Sequence, residues 1–186
     1  EMRFVGGEPL AHKAMYKIAK VVREIKPELK IQVCTNGSIF NRQVKEICEK
    51  NNMLFSFSLD TIIPEEYQTI RIGGKYDETY SNVEEISKIV GSENVTINST
   101  LMSVNSNNII RLVEYSFKNK FDFFLNTYAK NGRPITSPDW GLNKLNKKTI
   151  KKVMRDCILF LENNNDEGYN MQVKKILLLL KNTEYK

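Results

Sequence analysis

The chain has 186 residues, 41% of them apolar, 10% aromatic and 27% charged, which is material for one domain, or most of one larger domain, with an ordinary core. No apolar run approaches the ~18 residues that a membrane helix needs, so no membrane partner is expected. Net charge is +6 and uneven: residues 1–110 hold 13 basic against 14 acidic side chains, residues 111–186 hold 15 against 8. A basic C-terminal third suits nucleic acid or an acidic surface, but it lacks the interleaved aromatics of single-strand binders. It reads as a solvated helix face, and no nucleic-acid partner is expected.

In chain order, residues 2–5 read as a strand and residues 10–25 as a helix with Ala14, Ile18, Val21, Val22 and Ile25 on one apolar face. Between them stands Gly6-Gly7-Glu8-Pro9. Proline suits a first helical turn, and paired glycines let a ligand approach bare backbone. A carboxylate beside exposed carbonyls suits an amine, although such a turn can also be only a turn. Residues 31–34 are the second strand, Thr35-Asn36-Gly37 a turn, and residues 41–51 a helix around Val44, Ile47 and Cys48. Residues 54–59 are the third strand. A long connection with Pro64, Gly73 and Gly74 leads to a helix around Val83, Ile86, Ile89 and Val90, closed by Gly91. Residues 95–102 are the fourth strand, 109–117 a helix, and 121–125 the fifth strand. A loop with Asn131, Gly132, Pro134 and Pro138 precedes two closing helices, 145–161 and 169–180.

Cysteines lie only at 34, 48 and 157, with no Cys-x-x-Cys spacing for a metal or redox motif. Cys34 reads as core, and the odd, scattered set argues for a reducing, cytoplasmic compartment. His12 is the only histidine, which excludes a multi-histidine zinc site in this chain and reads as a surface residue.

Alternating strands and helices predict an α/β fold with parallel strands and right-handed crossovers, either a doubly wound sheet or part of a β/α barrel. Function then belongs at the strand C-terminal ends: Gly6–Glu8, Thr35–Asn36, Ser58–Asp60, Asn98–Thr100 and Asn126–Tyr128. All five ends are polar or glycine-rich, which points to one shared site.

The order Phe4-Val5-Gly6-Gly7-Glu8-Pro9-Leu10, Cys34-Thr35-Asn36-Gly37, Phe57-Ser58-Leu59-Asp60 and Ile70-Arg71 resembles the radical S-adenosylmethionine (radical SAM) enzymes, above all the peptide maturases and sulfatase-maturing enzymes. Asn98-Ser99-Thr100-Leu101 leading to Asn105, and Asn131-Gly132-Arg133, extend the likeness to about residue 135. The resemblance implies a partial parallel β/α barrel, five of six βα units, over residues 1–135, with a helical extension over 136–186. It implies S-adenosylmethionine and a [4Fe–4S] cluster as cofactors, with a deoxyadenosyl radical taking hydrogen from a substrate. Carried over by position, Gly6, Gly7 and Glu8 would hold the methionyl amine, Ser58 the ribose, and Arg71 the methionyl carboxylate. Backbone at Leu125 and Asn126 would border the adenine. Thr35 and Asn36 would lie near the cofactor or make the turn. Asp60 would face the substrate as proton acceptor or binder, or cap the next segment.

Two departures stand out. Thr61 follows Ser-Leu-Asp where the family often has glycine, and the Cys-x-x-x-Cys-x-x-Cys loop that binds the cluster is absent. No metal ligand is therefore expected here. The chain is expected to lack the first βα unit, the other reading being a cluster-less scaffold. The parent would take a peptide, protein or small-molecule substrate and a reductant protein such as ferredoxin or flavodoxin.

Overall fold

The computed structural model describes residues 1–127 and 147–164. Five strands, β1 (Met2–Phe4), β2 (Ile31–Thr35), β3 (Met53–Ser58), β4 (Val95–Leu101) and β5 (Asp122–Thr127), form one sheet in the order β1-β2-β3-β4-β5. Every pairing is parallel. Spatial order that follows chain order requires each crossover to turn the same way, so the helices collect on one face. This is an arc of a β/α barrel.

The pairing register sorts side chains by face. One face carries the rows Phe4–Val33–Phe55–Val95 and Thr35–Phe57–Ile97–Phe123. Its aliphatic and aromatic members, Phe4 apart, are all nearly fully buried, and they form the core with the helices. The opposite, inner face carries Arg3–Gln32–Leu54, Cys34–Ser56–Thr96–Asp122, Ser58–Asn98–Phe124 and Thr100–Asn126. It is polar, as the inside of a ligand-binding barrel is. Cys34, expected in the core, lies on this inner face and is half-buried, because the strand alternation gives the core side to Ile31, Val33 and Thr35.

The helices are α1 (Lys13–Ile25), α2 (Arg42–Lys50), α3 (Pro64–Ile70), α4 (Tyr76–Val90), α5 (Ile109–Lys118) and α6 (Lys147–Asn164). The helix expected from residue 10 is split. A 3₁₀ turn at Pro9–Ala11 comes first, then His12 stays extended and caps α1 by accepting from the Ala14 N–H. The apolar face expected for α1 is split too. Met15, Ala19 and Val22 are buried, while Ile18, Val21 and Ile25 stay exposed, with Ile18 lining a cavity beside Phe4 and Val5. Among the described residues no strand pairs with the outer edge of β1.

Helix α3 lies in what reads as a plain connection. Pro64 starts it where no N–H is needed, and Tyr67 anchors it through a hydrogen bond shared with Thr79 on α4. Helix α6 joins the same core through Val153 and Cys157, with Phe160 edge-on to Phe117 of α5. The expected boundary at 135/136, the Asn131-Gly132-Arg133 turn, Tyr128 and the helix at 169–180 lie outside the described residues. No described helix is long and apolar enough to cross a membrane.

Candidate active site

The first cluster sits where β1 and β2 end. Gly6 and Gly7 take φ of +89° and +57° with no atom within 4 Å of where a Cβ would stand. Their backbone, not their packing, demands glycine, and it lies in open space. Glu8 follows as the cap of the 3₁₀ turn. Its Oε1 accepts from Leu10 N (3.1 Å) and Thr35 Oγ1 (2.8 Å), and its Oε2 from Asn36 N (2.9 Å). Thr35 Oγ1 in turn accepts from Gly37 N, and Asn36 Oδ1 from Ser38 N. Thr35 and Asn36 thus make the turn and grip the Glu8 carboxylate across two strands. Gly6, Gly7 and Glu8 line a cavity of about 420 Å³ between the end of β1 and α1, shared with Phe4, Val5, Met15 and Ile18.

The second cluster joins the ends of β3 and β4. Asp60 is buried, with Oδ1 accepting from Thr100 N (2.9 Å) and Oδ2 from Arg71 Nη2 (2.7 Å). That same Nη2 also donates to Ser58 O (3.0 Å). Both Nη2 hydrogens of Arg71 are used in this way, and each of the two guanidinium edges includes Nη2, which leaves the hydrogens on Nε and Nη1 for a further partner. Asp60 does not cap α3, whose first residue follows Ile63.

Behind Asp60 stands Asn105, fully buried. Its Nδ2 donates to Asp60 O (2.7 Å) and Thr100 O (2.9 Å), and its Oδ1 accepts from Met102 N (2.8 Å). The residue motif holds Asn105, but nothing local to the sequence marks it as the pin between two loops. Glu66 does a similar job, accepting from Thr61 Oγ1 and Asn108 Nδ2, both at 2.5 Å. At β5, Asn126 Nδ2 donates to Asn98 Oδ1 on the inner face. The Leu125 side chain is buried and pairs in register with Ser99 on the helix side, so only its backbone can border the site.

No group of three or more His, Cys, Asp or Glu among the described residues could hold a metal ion. All three cysteines are described. Cys34 lies on the inner face, while Cys48 and Cys157 are buried in the helix layer, where burial pushes each thiol up to about 12. They cannot converge, so these residues do not fit an iron–sulfur cluster.

Polar groups gathered at the C-terminal ends of consecutive parallel strands stand where β/α barrels carry their functional sites. The family model for the radical SAM superfamily matches residues 1–116. The chain therefore belongs to that superfamily, whose members use S-adenosylmethionine and a [4Fe–4S] cluster. Among curated relatives, GTP 3',8-cyclase of Clostridium perfringens (strain SM101) is 27% identical over 66% of this chain and 38% of its own length. GTP 3',8-cyclase of Aliarcobacter butzleri is 26% identical over 84% and 50%. Of solved structures, Streptococcus suis SuiB superimposes with a TM-score of 0.69 at 18% identity, over 89% of this chain and 37% of that one. SuiB is also known with S-adenosylmethionine and with the precursor peptide SuiA. The anSMEcpe structure with bound AdoMet gives 0.65 at 18% identity, over 91% and 47%. The chain spans about half, or less, of the length of the curated relatives named here.

Proposed function

We propose that this chain is the S-adenosylmethionine-binding arc of a radical SAM enzyme whose parent protein modifies a peptide or protein. The observation that carries the cofactor assignment is the Gly6-Gly7-Glu8 turn: bare backbone in open space beside a carboxylate, at a parallel strand end, in a chain of this family. Gly6 and Gly7 carbonyls and Glu8 would receive the methionyl amine. Thr35 and Asn36 keep the Glu8 carboxylate aimed. Ser58 on the inner face would meet the ribose, the backbone of Leu125 and Asn126 the adenine, and Arg71 the methionyl carboxylate through the hydrogens that Asp60 and Ser58 leave free. Asp60 then acts as a positioning residue for Arg71. Bound there in the complete enzyme, the cofactor would supply hydrogen-atom abstraction from the substrate.

The cluster ligands would come from a further βα unit. The open edge of β1 and the exposed flank of Ile18, Val21 and Ile25 support a seat for one. A ferredoxin- or flavodoxin-like reductant would serve the complete enzyme. The peptide reading rests on the inner face. Near the strand ends it offers Ser58, Asn98, Thr100 and Asn126, groups that pair with peptide amides. Among the described residues its cations are Arg3, paired with Glu1, and Arg71, paired with Asp60. The names of the sequence relatives favour a second reading, a nucleotide substrate.

The test uses the protein as its gene encodes it, reconstituted with iron and sulfide, reduced, and offered peptides encoded beside its gene and, separately, GTP. A peptide mass change supports the assignment. GTP conversion without any peptide change overturns the substrate while leaving the radical chemistry. For the 186-residue chain alone, calorimetry is expected to find weak S-adenosylmethionine binding or none, since the iron that completes the anchorage is absent.

A further inference from the structure

A groove of about 280 Å³ runs between α1 and α2 on the outside of the barrel arc, away from the inner face. Lys13, Lys17, Lys20 and Arg23 form one wall, spaced by three or four residues along α1, and Glu46 is the single acid of the lining. Spacing of this kind puts side chains on one stripe. Ten residues of helix make that stripe about 15 Å long. The floor is Tyr16, whose hydroxyl is tied to Leu10 O, and the buried Ile47. Glu46 is already engaged by Lys50 at 2.8 Å, and the Lys50 ammonium, with Arg23 and Arg42 nearby, holds its carboxyl below the usual range. The cations of the stripe itself have no ion-pair partner recorded among the described residues.

We propose that this groove docks an extended acidic segment of a partner protein. Alternate side chains of an extended chain recur at about 6.6 Å, so a 15 Å stripe accommodates about three carboxylates on one side of such a segment. The apolar floor of Tyr16 and Ile47 accepts the backbone and the intervening small side chains. Nucleic acid fits less well. Tyr16 is the single aromatic of the lining, with its hydroxyl tied to Leu10 O, and successive bases of a strand need more than one stacking face. Asn51 Nδ2 donates to Ala19 O, which ties the two helices. The groove lies on the helix layer, so an occupant leaves the strand C-terminal ends open.

The experiment titrates the whole chain with a fluorescein-labelled peptide of four Glu-Ser repeats at 50 mM salt, by fluorescence anisotropy. Saturable binding is expected, weakened at least tenfold by Lys17→Glu/Lys20→Glu and to a smaller extent by Lys17→Gln/Lys20→Gln. Arg111→Glu/Lys118→Glu, an equal charge change on exposed positions of α5, is expected to stay within twofold of wild type. Circular dichroism checks that each variant keeps its helix content. Equal loss in the α5 variant overturns the groove, as does no saturable binding to the wild type. An eight-residue oligothymidylate that displaces the peptide at lower concentration than unlabelled peptide does overturns the protein partner in favour of nucleic acid.

Discussion

At the scale of single residues, Asn105 has the largest structural consequence for its size. Replacing it by alanine strips partners from the Met102 N–H and from the carbonyls of Asp60 and Thr100 at once. Buried unpaired groups cost about 1–3 kcal/mol each, with partial relaxation, so Asn105→Ala is expected to lower stability by about 2–4 kcal/mol, measured by urea unfolding. Asp60→Asn keeps the size but breaks the charge pair with Arg71. Arg71 is about a third exposed, so solvent softens the loss to about 1–2 kcal/mol; a change below a few tenths would mean the pair is idle. The placement of the candidate residues at strand ends was legible in the sequence, because parallel topology sends every strand's C-terminal end to one rim. Their partners were not. The bonds from Thr35 to Glu8, Thr100 to Asp60 and Asn105 to Asp60 span 27, 40 and 45 residues, and two of the three engage backbone groups, which carry no side-chain signature.

At the scale of elements, strands were easier to read than the flanks of helices. Alternation in β4 is clean, Val95, Ile97, Ser99 and Leu101 inward to the core with Thr96, Asn98 and Thr100 opposite. Helix α1 misleads because its apolar arc is wider than the sheet beneath it. Helix α3 was hidden because seven residues bounded by Pro64 and the pair Gly73 and Gly74 look like a loop. Across α3, α4 and α5 runs a chain of ring contacts, Tyr67–Tyr76–Tyr80–Tyr115–Phe121, with centroids 4.6–6.0 Å apart. Tyr80 also donates to Thr61 O, tying α4 to the Asp60 loop. Burial pushes the Tyr80 and Tyr115 phenols well up, and the Cys48 and Cys157 thiols up to about 12. The sign follows directly: the unfolded chain loses these protons first as pH rises, so stability is intact below the ordinary thiol range and falls above it. Urea midpoints are expected to hold steady from pH 7 to about 8.5 and to drop progressively above about pH 9. In the folded chain at pH 8, iodoacetamide is expected to leave Cys48 and Cys157 unmodified, and to reach both in urea.

At the scale of the whole molecule, the described sheet ends in two edge strands, β1 and β5, and the β1 end carries exposed apolar side chains. Val5 is 66% exposed and Ile25 78%, with Ile18 at 40% and Val21 at 49%, and among the described residues no strand pairs with the outer edge of β1. The chain by itself is expected to associate with rising concentration, seen by analytical ultracentrifugation, and Val21→Glu/Ile25→Glu to shift it towards monomer. A wild-type chain that stays monomeric at high concentration would remove the argument for a further unit seated there. The strand order β1-β2-β3-β4-β5 has one more consequence, which concerns how the chain reaches its shape. Each strand pairs only with its nearest predecessor in sequence, Met2 with Ile31, Ile31 with Met53, Phe55 with Val95 and Thr96 with Asp122. No loop has to close over the whole chain before a contact forms. The arc can therefore be laid down one strand at a time as it leaves the ribosome, each new strand finding its template already in place.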